Sequence, residues 1–181
     1  MATMTGFGRP SKTVMQTAFV VEDIMAAIQI YTRTLNIGPF FLLSHAKNPA
    51  RMYRGMNVPC EISLAMAFAG NMNIELIQQH DDEPSLFKEQ IEQHGYGFHH
   101  YGVAHEDVEA ALPLYSGEGF EVVSSNTVPT GGTVYFLEDD NPAQPGYLEL
   151  LPYTAGMEET FTRFWQAAQD WDGSDPVRPF A

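Results

Sequence analysis

Apolar and polar positions alternate along the chain in short blocks, and the blocks recur. MQTAFVV (Met15 to Val21) has strand character and runs into Asp23, a residue suited to capping a helix N-terminus. The helix predicted behind it sets Ile24, Ala27, Ile28 and Tyr31 at helical spacing and stops near Gly38. Three strands follow, PFFLLSH (Pro39 to His45), EISLAMAFA (Glu61 to Ala69) and MNIELIQQ (Met72 to Gln79), the last two joined by a tight turn at Gly70-Asn71. The series then starts again. HYGVAH (His100 to His105) leads into Asp107 and a helix carrying Val108, Ala111, Leu112 and Tyr115, which ends at Gly117 or Gly119. FEVVSS (Phe120 to Ser125), TVYFLED (Thr133 to Asp139) and YLELLPY (Tyr147 to Tyr153) are its three strands.

The recurrence is an internal repeat. VEDIMAAIQIY (Val21 to Tyr31) aligns without a gap on HEDVEAALPLY (His105 to Tyr115), with Glu22/Glu106, Asp23/Asp107, Ala26/Ala110, Ala27/Ala111 and Tyr31/Tyr115 identical at an offset of 84. Two tandem βαβββ modules are therefore expected, over 14–79 and 98–153. A linker, 80–97, holds one short helix from about Pro84 to Gln93. The remainder, 154–181, holds a helix after Gly156 with Phe161, Phe164, Trp165, Ala168 and Trp171 on one face, then an extended tail from Asp172.

Composition narrows the function classes. The 181 residues carry 9 Lys+Arg against 23 Asp+Glu, a net charge of −14, with no basic cluster of the kind that nucleic acids and anionic membranes require. Yet 44% of residues are hydrophobic, with 12 Phe, 8 Tyr and 2 Trp, enough for one domain with a real core rather than a disordered chain. Cys60 is the single cysteine, which excludes an intramolecular disulfide and a cysteine-rich zinc site and points to the reducing cytoplasm. No apolar run reaches the length of a membrane span, and Met1 to Ser11 has no signal-peptide pattern. A soluble cytoplasmic protein is expected.

The repeat also singles out polar residues. Gln16 and His100 stand at equivalent points of the two opening strands, seven residues before Asp23 and Asp107. The closing strands each carry a carboxylate within an apolar run, Glu75 in NIELI and Glu149 in YLELL. Alternation puts Glu75 on a face with Asn73 and Ile77, and Glu149 on one with Tyr147 and Leu151. A carboxylate among apolar neighbours costs free energy unless it is paired, hydrogen-bonded or bound to a metal. Two carboxylates, an imidazole and an amide oxygen suit Zn, Ni, Fe or Mn and leave room for water or substrate. The alternative is that both carboxylates face solvent while His100 is a satisfied core histidine. By the same alternation, His99 is expected on the opposite face from His100.

These residues carry a resemblance to the vicinal oxygen chelate superfamily, which takes in glyoxalase I, methylmalonyl-CoA epimerase, extradiol dioxygenases and bleomycin resistance proteins. It extends from Val14 to Tyr153 and is strongest in GFHHYGVAHEDVEAAL (Gly97 to Leu112), similar to the second-module opening of the glyoxalase and epimerase branches. The resemblance implies an α+β fold whose modules form a curved eight-stranded mixed sheet with a metal-binding cleft. It further implies Gln16, Glu75, His100 and Glu149 as ligands of a divalent ion, Zn or Ni before Fe or Mn. The implied chemistry is that of a lyase or isomerase, with Glu149, or failing it Glu75, as general base. An Fe(II) dioxygenase is one alternative, although Gln16 stands where that chemistry uses a histidine; a metal-free binding protein is another. A homodimer is implied as well.

Substrate class follows from what is missing. Where glyoxalase I has an arginine for the glutathione carboxylate this chain has Val20, and basic residues are too scarce for coenzyme A phosphates. Lys47, Arg51 and Arg54 form the one basic stretch, a holder for a substrate carboxylate or a solvated loop. The substrate contacts expected are Phe41, Arg54, Phe68, Tyr101, Tyr135 and Tyr147, around a hydrophobic oxygenated small molecule.

Overall fold

The repeated pattern is realised twice in the computed structural model, which describes residues 2–181. Strand β1 (Val14–Val20) leads to helix α1 (Ile24–Thr34), whose first turn is capped by Asp23 accepting from the amides of Met25 and Ala26. Strands β2 (Phe40–Lys47), β3 (Met52–Tyr53), β4 (Met56–Asn57), β5 (Glu61–Ala69) and β6 (Met72–Gln79) complete the first half. Helix α2 (Leu86–His94), capped by Ser85, bridges to β7 (Gly97–His105). The second half continues with α3 (Val108–Gly117), capped by Asp107, and with β8 (Glu121–Thr127), β9 (Thr133–Glu138) and β10 (Tyr147–Pro152). Helix α4 (Ala155–Ala168) and β11 (Val177–Pro179) close the chain.

All strands join one mixed sheet in the order β11-β2-β5-β6-β1-β7-β10-β9-β8-β3-β4. The fold is α+β, as expected, but the sheet has eleven strands rather than eight. The three additions come from segments without a strand pattern of their own. The β3–β4 hairpin lies in a loop of the first half yet pairs with β8 of the second, Met52 opposite Ser125 and Tyr53 opposite Ser124. The tail pairs in parallel with β2 at the other edge. Both sheet edges are covered in this way.

Alternation sorts each strand between two faces. Toward one side, Leu76, Ala65 and Ala67 meet Ile24 and Ile28 of α1, while Leu148, Leu150 and Val103 meet Val108 of α3. Toward the other, Ile77, Met66 and Leu151 meet α2, α4 and Phe7 of the N-terminal segment. Burying a leucine such as Leu76 or Leu150, both fully enclosed, contributes roughly 2 kcal/mol each, so the faces are strongly specified. Among the described residues no helix is long and apolar enough to cross a membrane.

Two local expectations are corrected. Helix α1 ends at Thr34, before Gly38, and Gly38 serves instead to make room for an indole: a Cβ there would lie 2.6 Å from the Trp171 ring. Trp171 itself lies beyond α4, which stops at Ala168.

Candidate metal centre

The site grows from the middle of the sheet. Strands β1 and β7 run antiparallel there, with β6 parallel to β1 on one side and β10 parallel to β7 on the other. Register sets Ala18 beside both Glu75 and His100, and Gly102 beside both Gln16 and Glu149. Gln16, Glu75, His100 and Glu149 thereby turn toward one point, all buried. His100 Nε2 lies 3.1 Å from Glu149 Oε2 and 3.4 Å from Glu75 Oε2.

The amide of Gln16 closes the group. Its Nε2 is 3.0 Å from Glu75 Oε2, 3.0 Å from Glu149 Oε2 and 3.2 Å from His100 Nε2, while its Oε1 is enclosed without any partner. An amide turned by half a rotation exchanges these two atoms. The orphaned oxygen would then join the two carboxylates and the imidazole, giving four nitrogen and oxygen donors at one point. That donor set fits a divalent cation, and the Glu75, His100 and Glu149 ligand atoms already lie within 4.8 Å of one another.

Electrostatics shows why the group calls for positive charge. Burial pushes the Glu75 carboxyl up from its ordinary range against the pull of His100. Burial also opposes a charged His100, but Glu149 and Glu75 outweigh it and lift the imidazole to about 9. A proton on His100 balances the carboxylates in part, in the place where a metal ion would do so more fully.

His99 departs from its expected position. Ala18 pairs with His100 and Phe19 with Phe98, which leaves His99 as the extra residue of a β-bulge. The bulge interrupts strict alternation, so His99 is not across the sheet from His100. Instead its Nδ1 sits 2.7 Å from His100 Nδ1, and its ring packs against Phe87 and Tyr147. Two ring nitrogens at that distance need one donor and one acceptor. If His100 offers Nε2 to a cation, its Nδ1–H donates to a neutral His99. Burial first, and the neighbouring His100 second, hold His99 well below its ordinary pKa and so in that neutral form.

Above this floor lies a cavity of about 370 Å³ lined by Glu75 and Glu149 together with Leu64, Met66, Ile77, Phe136, Leu151, Phe161 and Phe180. Lys47, Arg51 and residues 126–130, at the end of β8 and just after it, also border it. None of the six expected substrate contacts does. Phe41 and Phe68 are buried in the core against Phe164 and Phe161, and Tyr147 is packed on His99. Tyr101 and Tyr135 lie on the α3 side of the sheet, one residue out of phase with His100 and Phe136. Arg54 is held outside by Glu89 and Glu138 at 2.9 and 2.7 Å. Alternation counted outward from Glu75 and Glu149 finds Ile77 and Leu151. Phe136 needs the β9–β10 register, and Phe161 and Phe180 need the docking of α4 and β11.

Comparison with known proteins bears on the family and the fold. The family model described as glyoxalase/bleomycin resistance protein/dioxygenase superfamily matches residues 15–136, well over half of the chain. The chain belongs to that superfamily. Curated protein sequences give no match. Among solved structures, a hypothetical protein from Bacillus halodurans aligns with a TM-score of 0.59 at 19% identity over 78% of this chain and 94% of its own. Methylmalonyl-CoA epimerase from Mycobacterium tuberculosis aligns with a TM-score of 0.56 at 14% identity, over 82% and 93%. Streptomyces coelicolor methylmalonyl-CoA epimerase, in complex with 2-nitronate-propionyl-CoA, aligns at 0.53 and 15%, over 80% and 96%. At such identities these structures share the fold alone. Divalent metals are bound by members of the superfamily, and the buried Glu75, His100 and Glu149 form a group able to hold one.

Proposed function

We propose that the protein is a divalent-metal-dependent lyase or isomerase of the glyoxalase-like type, which moves a proton on a carbon next to the chelating oxygens of a hydrophobic small molecule. One observation carries the reading: two buried carboxylates, an imidazole and an amide from four adjacent strands converge, and the two carboxylates, Glu75 and Glu149, border a predominantly apolar cavity. Gln16, Glu75, His100 and Glu149 are the residues that would hold the ion, Zn or Ni before Fe or Mn. A bound ion supplies Lewis-acid stabilisation of developing oxyanion charge. Glu149 is the general base, with Glu75 second; both border the cavity, so either reaches a substrate C–H without passing through solvent. Leu64, Met66, Ile77 and Leu151 keep water from competing for the proton. A homodimer in the cytoplasm is the working form that goes with this reading.

The test has two parts. Protein purified without added metal is assayed for metal content and for thermal stabilisation by Zn, Ni, Mn and Fe. A panel of aryl 2-hydroxyketones is then followed by NMR in deuterated water for exchange of the carbinol proton. Bound metal with exchange that is lost in Glu149→Gln supports the proposal. Absence of metal and of any stabilisation by it, with no exchange, overturns it.

A further inference from the structure

Arg51 sits in the loop between β2 and β3 and is only 4% exposed, yet its Nε and Nη1 are enclosed without a partner. Among the described residues its guanidinium makes no hydrogen bond or ion pair; its Cζ lies over the Phe87 ring, 5.3 Å from the centroid. The loop around it is firmly fixed: Arg51 N donates to Asn48 O, and Arg51 O accepts from Val58 N and Asn57 Nδ2. Its side chain borders the same cavity as Glu75 and Glu149. A buried cation with open donors is costly to keep unless something anionic comes to meet it. Arg54, three residues on, shows the contrast, since Glu89 and Glu138 satisfy it at the surface. Lys47, the other cation of the cavity border, is already shared between Glu61 and Asp81 at 3.6 and 3.7 Å.

We infer that Arg51 is the specificity-determining residue of the cavity and that it binds the carboxylate of an otherwise apolar monocarboxylic acid. The charge count supports a single negative group: a divalent ion at the floor cancels Glu75 and Glu149, which leaves Arg51 as one uncompensated positive charge. A planar fork of donors matches a carboxylate in bidentate fashion. A phosphate dianion would call for a second free cation, and Lys47 is taken. Apart from Lys47, Asn48, Asn126, Thr127 and Thr130, the remaining lining is apolar, so the body of the ligand is predominantly apolar too. The inference rests on the proposed metal-dependent reading only for the charge count at the floor; the open guanidinium stands without it.

The probes are 4-phenylbutanoate, its uncharged analogue 4-phenylbutanamide, and phenylbutyl phosphate, titrated calorimetrically into the full chain with and without Zn. The wild type is expected to bind the carboxylate at least about tenfold more tightly than the amide. Arg51→Met should bind both alike while melting no lower than the wild type. Should Arg51→Met fail to fold, Arg51→Lys, which keeps the charge and loses the fork, is expected to weaken carboxylate binding several-fold. Equal affinity for carboxylate and amide in the wild type, a preference that survives in Arg51→Met, unchanged affinity in Arg51→Lys, or tighter binding of the phosphate overturns the assignment. Metal content measured on the same samples separates the two readings. Carboxylate preference without bound metal upholds Arg51 and sinks the lyase or isomerase. Metal and proton exchange without carboxylate preference do the reverse.

Discussion

Replacing Gly102 with alanine tests the packing that lets the four polar residues meet. Gly102 lies on β7 directly beside Gln16 on one neighbouring strand and Glu149 on the other. A Cβ at this position would stand 2.8 Å from Gln16 Cβ and 3.0 Å from Leu151 Cδ1. Carbon atoms settle about 3.5–4.0 Å apart, so the methyl intrudes by roughly 1 Å. The leucine end can swing aside; Gln16 Cβ, fixed to its strand, cannot. Overpacking of this kind costs about 1–3 kcal/mol, offset by the ~0.5–1 kcal/mol that alanine gains over glycine within a regular strand. A net loss of about 1–2 kcal/mol is expected. With a urea m-value near 2 kcal/mol/M, the unfolding midpoint should fall by about 0.5–1 M. Displacing Gln16 should also weaken metal binding about tenfold. Gly117→Ala is the control, because nothing lies within 4 Å of the added methyl. If Gly102→Ala unfolds at the same urea concentration as the wild type, or higher, the close approach of β7 to Gln16 is not what shapes the site.

Three further outcomes are expected. His99→Phe keeps an aromatic ring against Phe87 and Tyr147 but removes the partner of His100 Nδ1, so metal affinity read by competition with a chelating dye should drop about 10–100-fold; unchanged affinity refutes the bulge's positioning role. Glu106, held down to about 2 chiefly by Ser11, contributes stability that is complete above its unfolded value near 4.5 and is lost as pH falls from there toward 2. Its side chain is 37% exposed, so the loss is at most about 1 kcal/mol, and Glu106→Gln should flatten the stability curve over that range; parallel curves for the two proteins argue against it. Phe180→Ala removes a ring that meets Phe164 and borders the cavity, and calorimetry should show destabilisation of about 3 kcal/mol; an unmoved melting temperature means that the tail does not close the cavity.

Much of the site was legible one strand at a time. The offset linking Gln16 to His100 is the sequence form of a contact, 3.2 Å between Gln16 Nε2 and His100 Nε2. Period-two alternation was enough to put Glu75 with Ile77 and Glu149 with Leu151, because a strand's facing is a property of its own backbone. The same rule misplaced His99, where a bulge adds one residue to β7 without any mark in the local sequence. Aromatic residues were poor guides to the cavity for a similar reason. Tyr101 and Tyr135 satisfy a strand pattern equally well on either face, and only cross-strand register decides between Tyr135 and Phe136.

By itself, the sequence determined the two modules, the helix caps at Asp23 and Asp107, and the four polar residues that share one face. These depend on short-range geometry: a cap reaches two or three residues, and strand alternation repeats every two. The tertiary structure alone decided that β3 and β4 cross to the second half, that the tail becomes β11, and that Arg51 is enclosed while Arg54 is paired at the surface. Those outcomes depend on backbone groups and charges far apart in the chain, whose partners exist only once the sheet has assembled.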